Sequence, residues 1–193
     1  FPLAIPVWKM APALVYGNTI VLKPASTAPH IGALIARMWE AVDLPKGVFN
    51  FVTGAGGAAG NEIVTNSMVN AISFTGSAKV GRGIAVGAAS RNIRFQLEMG
   101  GKNPVIVLPD ADLEQAAEIT VSGAMKYSGQ KCTATSRAIV VGGVIEEFTT
   151  LVVDKVKKLK IGPGSDPASV IVPVIDEPSR ENIVAAVKRG EEE

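Results

Sequence analysis

The sequence predicts an α/β fold built on parallel strands, and three observations carry that expectation. Short apolar or β-branched runs alternate with stretches of helical periodicity. Glycine-bearing turns separate several of them. Apolar residues make up 47% and charged residues 19% of the 193 positions, ordinary proportions for a packed core. A repeating strand–helix order favours a parallel sheet with right-handed crossovers.

The elements follow in order. Thr19-Ile20-Val21-Leu22 is a first strand, ending at Lys23-Pro24. Ile31, Leu34, Ile35, Met38 and Val42 then recur at helical spacing. Ser26 or Thr27 is placed to cap this helix, and Pro29 suits its first turn. Leu44-Pro45-Lys46-Gly47 breaks it. Phe49-Asn50-Phe51-Val52 is the second strand, followed by Gly54 to Gly60 and a short helical stretch through Ile63 and Val64. Ala71-Ile72-Ser73-Phe74 is the third, and Gly76-Ser77 turns into a helix through Val80, Ile84 and Val86. Ile93 to Leu97 is the fourth and Val105 to Leu108 the fifth. Asp110 or Asp112 starts a helix through Leu113, Ala116, Ala117 and Ile119. Arg137 to Val141 is the sixth strand. Phe148, Leu151, Val152, Lys155, Val156 and Leu159 outline an amphipathic helix, with Lys155, Lys157, Lys158 and Lys160 read as its solvated face. Ile161 to Pro167 is a loop, and a domain boundary is expected near Gly100-Gly101.

Nineteen basic residues face eighteen acidic ones, for a net charge of +1. That balance gives no reason to expect nucleic acid or an anionic membrane as a partner. No apolar run reaches transmembrane length. The single cysteine excludes an internal disulfide, so a reducing cytoplasm is the default. Phe1 to Trp8 lacks a basic segment and a starting methionine, so it reads as a chain entered in the middle, and both ends read as cut.

The chemistry concentrates in two segments. Cys132 lies in Gly129-Gln130-Lys131-Cys132-Thr133-Ala134, and Glu98 in Leu97-Glu98-Met99-Gly100-Gly101-Lys102. A thiol among small residues and a carboxylate beside two glycines suggest a nucleophile and a base in one cleft. Glu98, at a strand end, is either partly buried and tuned upward as a base or a plain surface carboxylate. The glycine turns Gly54–Gly60 and Gly76-Ser77-Ala78-Lys79-Val80-Gly81 follow strands and open helices. Such helix N-termini suit a pyrophosphate, although four residues between Gly76 and Gly81 depart from the usual dinucleotide fingerprint. Lys23, just past a strand, is placed for ribose hydroxyls or a phosphate, or is a plain surface lysine. His30, the only histidine, falls on the first turn of a helix without a catalytic task, and no His/Cys cluster points to a metal. Trp8 reads as a packing residue.

Taken together these segments resemble the aldehyde dehydrogenase superfamily along essentially the whole chain. The residues that carry the resemblance are Phe1-Pro2-Leu3, Trp8-Lys9 with Pro12-Ala13-Leu14, Gly17-Asn18-Thr19, Leu22-Lys23-Pro24-Ala25, Phe74-Thr75-Gly76-Ser77 with Gly81, Leu97 to Lys102, and Gly129-Gln130-Lys131-Cys132. The resemblance implies a Rossmann-like parallel-sheet NAD(P)-binding domain over residues 1–100, followed over 101–193 by part of an α/β catalytic domain with the nucleophilic cysteine. It implies Cys132 as nucleophile and Glu98 as the base that activates water. It implies NAD or NADP as cofactor, with Lys23 and Ser26 at the adenosine ribose, Gly56 on the adenine side, Ser77 at the pyrophosphate and Thr75 near the nicotinamide. Gly60, Gly76, Gly81 and Gly100 join that cofactor set. Ser26 stands where NAD-selective members often carry a glutamate, which leaves room for a 2′-phosphate. A small-molecule aldehyde is the implied substrate, and the full-length enzyme is expected to be a homo-oligomer.

Residues Phe1–Lys9 and Gly129–Arg137 look most like 2-oxoglutarate semialdehyde (2,5-dioxovalerate) dehydrogenases. Three features depart from the family. Its asparagine before the Phe-Pro-Leu segment, which completes the oxyanion hole, would precede Phe1. Its glutamate–phenylalanine segment, which holds the nicotinamide ribose, would follow Glu193. Val172 replaces a glycine usual before Pro173. The chain is thus expected to be the central part of such an enzyme. A nucleotide-binding module that does not turn over, or a scaffold reusing the fold, are the alternatives. Retention of Cys132 and Glu98 favours the enzyme over the scaffold.

Overall fold

A computed structural model describes all residues from Phe1 to Glu193. The chain divides into two compact units, Phe1–Met99 and Gly100–Glu193.

The first unit begins with helix α1 (Ala4–Val15), an element outside the strand–helix alternation. Pro12 lies inside it and lacks the N–H that an interior position would donate, which is why the segment is hard to read as a helix. Its buried residue is Met10. Trp8, expected to pack, is 70% exposed. Residues two apart on a helix point about 200° apart, so turning Met10 inward turns Trp8 outward.

Strand β1 (Ile20–Leu22) leads to helix α2 (Pro29–Ala41) and strand β2 (Phe49–Phe51). Neither Ser26 nor Thr27 caps α2: Pro29 fixes the first turn, so the cap position falls on Ala28, which has no side-chain oxygen. Gly32 is required where α2 crosses the strands, because a Cβ there would lie 2.7 Å from the Phe51 ring and 2.9 Å from Pro24. A π-helical turn (Gly56–Gly60) and the short α3 (Asn61–Thr65) follow. Then come β3 (Ala71–Gly76), α4 (Ala78–Ser90) and β4 (Arg94–Met99). Ser77 caps α4 by accepting from Val80 N–H at 3.4 Å. The core of this half is Ile72, Ile84 and Ala88, with Phe74 and Leu97 packed against it.

The second unit contains β5 (Asn103–Val107), α5 (Leu113–Met125), β6 (Thr135–Val140), α6 (Ile145–Lys157) and α7 (Glu177–Glu192). Of the two aspartates considered, Asp112 caps α5, accepting from Gln115 N–H at 3.0 Å. Val107, Ala117 and Phe148 form its core. Lys155 does not belong to a freely solvated face. Its side chain is 24% exposed, and its ammonium lies 3.1 Å from Glu114 and 3.3 Å from Glu118, one turn apart on α5. Lys160 is likewise paired, to Asp166 at 2.8 Å.

All three ladders are parallel: β1 with β2, β3 with β4, and β5 with β6. They form three separate two-stranded sheets rather than the single sheet that the alternation suggests. Alternation reports local crossovers, each burying one helix. It carries no information on which crossovers share an edge. No helix is long and apolar enough to cross a membrane.

Asp176 caps α7, accepting from Ser179 N–H at 2.9 Å. Hydrogen bonds from Ser179 hold its carboxyl below the ordinary aspartate value. A depressed carboxylate contributes stability that is present above the unfolded value of about 3.9 and lost as pH falls through the folded value. The amide protection of α7 in hydrogen exchange is therefore expected to fall below about pH 4. Asp176→Asn is expected to flatten that dependence, and an unchanged profile in the variant would remove Asp176 as its source.

Candidate active site

In the first unit the polar residues gather in two places: just past the carboxyl ends of β1 and β2, where open α/β sheets bind ligands, and on one face of the β3–β4 ladder. At β1 and β2, Lys23 Nζ donates to Pro24 O at 2.8 Å and to Gly54 O at 3.4 Å. Ser26 Oγ donates to the same Gly54 O at 3.4 Å. Gly54 has φ +151°, and a Cβ there would press on Ala59 at 2.9 Å, so glycine is needed for this turn. A Cβ at Gly60 would sit 3.6 Å from Lys23 Cε, while one at Gly56 or Gly57 would meet nothing within 4 Å. Lys23, Ser26 and Gly60 are thus brought together around Gly54, and Gly56 opens onto free space.

At β3 and β4, register sets Ser73 opposite Gln96, Thr75 opposite Glu98, and Gly76 opposite Met99. Ser73, Thr75, Gln96 and Glu98 are all exposed and share one face, because alternate residues of a strand point the same way. Glu98 is exposed rather than partly buried. The core occupies the opposite face, through Ile72, Phe74 and Leu97. A Cβ at Gly76 would overlap the Phe74 ring, and one at buried Gly81 would overlap Met99 Sδ. The missing side chain at Gly81 therefore lets α4 seat against β4.

Two residues without a role in the sequence reading stand beside Glu98. Gln96 Nε2 donates to Glu98 Oε1 at 2.6 Å. Lys9 Nζ donates to Phe74 O at 2.8 Å. Burial holds the Lys9 ammonium below its ordinary value, and the negative charge of Glu98 acts against that shift. The pairing of Trp8 with Lys9 was visible, but nothing in sequence spacing links position 9 to positions 74 and 98.

In the second unit Cys132 is free and exposed. Its loop is pinned at several points. Asn103 Nδ2 donates to Cys132 O at 2.7 Å and to Ala134 O at 3.1 Å. Tyr127, Ser128 and Gly129 all have positive φ, at 57°, 54° and 70°. Ser128 Oγ donates to Val172 O at 2.7 Å and accepts from Val172 N–H at 2.9 Å. Lys131 Nζ lies 5.5 Å from the Tyr127 ring centre. A fixed backbone with an open thiol suits attack on a small electrophile. Gly100, on the approach to this unit, has no heavy atom within 4 Å of a Cβ position. No group of three or more His, Cys, Asp or Glu residues is arranged to hold a metal ion.

The aldehyde dehydrogenase family model matches residues 1–193. The chain belongs to the aldehyde dehydrogenase family. It is 46% identical over 193 residues to the alpha-ketoglutaric semialdehyde dehydrogenase of Bacillus subtilis (strain 168), covering 100% of this chain and 40% of that relative. Among solved structures, it matches 3,6-anhydro-L-galactose dehydrogenase in complex with NADP at a TM-score of 0.88 and 42% identity, covering 92% of this chain and 37% of that one. Betaine aldehyde dehydrogenase from Staphylococcus aureus, in complex with NAD+, matches at a TM-score of 0.94 and 36% identity, covering 97% and 37%. The chain thus spans about two fifths of the length of the curated aldehyde dehydrogenase it matches.

Exposure of Cys132 on a pinned loop has a direct chemical consequence. Iodoacetamide is expected to label the native protein at Cys132, read by mass spectrometry after digestion. A thiol that stays unlabelled until denaturant is added would mean that it is covered in solution.

Proposed function

We propose that the protein oxidises an aldehyde to a carboxylic acid with NAD or NADP, using Cys132 as nucleophile and Glu98 as base. The observation that carries this reading is the open thiol of Cys132 on a backbone held by Asn103 and by the Ser128–Val172 pair. Family membership over all 193 residues supports it. In this reading the first unit holds the cofactor, the second supplies the thiol, and the native protein acts as a homo-oligomer.

The residues present fit a dinucleotide. Lys23 and Ser26 offer an ammonium and a hydroxyl for ribose oxygens, and Gly56 and Gly60 keep side chains out of the adenine side. Gly76 and the capping Ser77 offer a helix start for the pyrophosphate. Thr75 is assigned to the nicotinamide side in this reading, Gly100 belongs to the cofactor set, and Gly81 lets the capped helix sit close. The bound cofactor supplies the hydride acceptor.

The chain's own groups then act in sequence. The Cys132 thiolate adds to the aldehyde carbon, forming a C–S bond and leaving negative charge on the oxygen. Backbone N–H groups near a nucleophile stabilise such a charge. Loss of hydride from that carbon re-forms the C=O bond as a thioester on Cys132. Glu98 takes a proton from water as the water oxygen adds to the thioester carbon. The C–S bond breaks, the acid leaves, and Cys132 returns as thiolate. The 46% identity to a semialdehyde dehydrogenase supports a 2-oxo-acid semialdehyde, 2-oxoglutarate semialdehyde, as substrate.

Cys132→Ala is expected to abolish NAD(P)H production in the native protein, and Glu98→Gln to lower kcat by about 10²–10⁴-fold. Full activity in Cys132→Ala would overturn the reading. The substrate assignment is checked on a panel of aldehydes, where kcat/KM is expected to be highest for 2-oxoglutarate semialdehyde.

The cofactor reading has a test that needs no turnover. Ser26 presents no carboxylate to repel a 2′-phosphate, so calorimetric titration is expected to find NADP binding no more than modestly weaker than NAD. Ser26→Glu is expected to weaken NADP selectively through like-charge juxtaposition. A strong NAD preference in the parent protein would place Ser26 away from the ribose.

A further inference from the structure

We infer that Gln96 is a positioning residue for Glu98, locked in turn by Ser73, and that this relay sets the rate of thioester hydrolysis without affecting formation of the acyl-enzyme. The inference rests on the proposed role of Glu98 as the base.

The geometry is a directed chain of hydrogen bonds. Ser73 Oγ donates to Gln96 Oε1 at 2.6 Å. Gln96 Nε2 donates to Glu98 Oε1 at 2.6 Å. An ionised carboxylate only accepts, so it takes the nitrogen end of the Gln96 amide, and the Ser73 hydroxyl, able to donate or accept, then donates to the amide oxygen and holds it there. The chain follows from register: Ser73 stands directly opposite Gln96 on β3 and β4, and Gln96 is two residues from Glu98 on the same face. The carboxylate is engaged at Oε1 alone, and Oε2 is left to receive a proton from water. An exposed glutamate without such a partner samples several rotamers. Holding one of them removes an ordering step from the reaction, and misplacing a reacting group by about 1 Å lowers rates by as much as about 10²-fold.

Lys9 acts on the same carboxylate only through its charge, since its ammonium is bonded to Phe74 O. Gln96 and Ser73 are therefore the side chains that set the direction of Glu98. Both are exposed, so replacing them removes no core contact.

The test separates acylation from hydrolysis without cofactor. With 4-nitrophenyl acetate, the Cys132 thiolate attacks the acetyl carbon and the C–O bond breaks, releasing 4-nitrophenolate as a burst. Water then adds to the acetyl thioester, its proton passing to Glu98, and acetate leaves as the C–S bond breaks. Burst amplitude counts competent thiols, and the steady-state rate reports hydrolysis. In the native protein, Gln96→Met is expected to lower the steady-state rate by about 10–10²-fold with the burst amplitude and rate within about twofold of the parent. Ser73→Ala is expected to give a smaller loss of the same kind. Gln96→Glu keeps the shape but loses the donor, and is expected to be no better than Gln96→Met. A parental steady-state rate in Gln96→Met, or burst and steady-state rates falling together, would overturn the inference. Glu98→Gln separates the two proposals. If it slows hydrolysis while Gln96→Met does not, only the positioning role falls. If Glu98→Gln hydrolyses at the parental rate, the role of Glu98 as base falls, and that of Gln96 with it.

Discussion

The parallel ladder between β3 and β4 is the constraint on which the rest of the first unit depends. Six residue pairs in register put Ile72, Phe74 and Leu97 on the core side. The same register puts Ser73, Thr75, Gln96 and Glu98 on the other side. A slip of one residue would exchange the two sets. Packing of α4 on the apolar side therefore holds the polar side in place. The close seat of α4 at Gly81 and Met99 belongs to the same arrangement. Core and candidate site are two faces of one ladder, and a change to either is felt by the other.

The second unit solves a different problem, that of holding a reactive side chain in the open. The loop runs through three consecutive left-handed residues, two of which are not glycine. Such conformations persist only where surrounding contacts over-determine them. Here the contacts are the Ser128–Val172 pair and the Asn103 amide, which holds the carbonyls of Cys132 and Ala134. Val172 takes part in this anchor through its backbone N–H and carbonyl.

All six strands and the helices α2 to α6 were legible because each has a local signature: an apolar run, a helical period or a cap. Cys132 and Glu98 stand out in the sequence as candidates because each lies in a short glycine-bearing motif. The three-sheet arrangement was not legible, since strand order is a lateral property that no local pattern encodes. Helix α1 was hidden by its proline, and the pairing of Lys155 with Glu114 and Glu118 by their distance along the chain. Gln96 was passed over because it reads as an ordinary polar strand residue. Its meaning appears only once register brings Ser73 to one side of its amide and Glu98 to the other.

The solitary thiol has one more consequence, in redox terms. Oxidation of an exposed cysteine begins with a sulfenic acid, which is normally rescued by condensing with a second thiol. These 193 residues contain no second cysteine. A sulfenic acid at Cys132 has no resolving partner within them, so its return depends on a thiol from outside these residues. Without one, further oxidant drives it to the sulfinic and sulfonic acids, from which simple thiols do not recover it. The openness that exposes the sulfur to an electrophile leaves it equally exposed to peroxide.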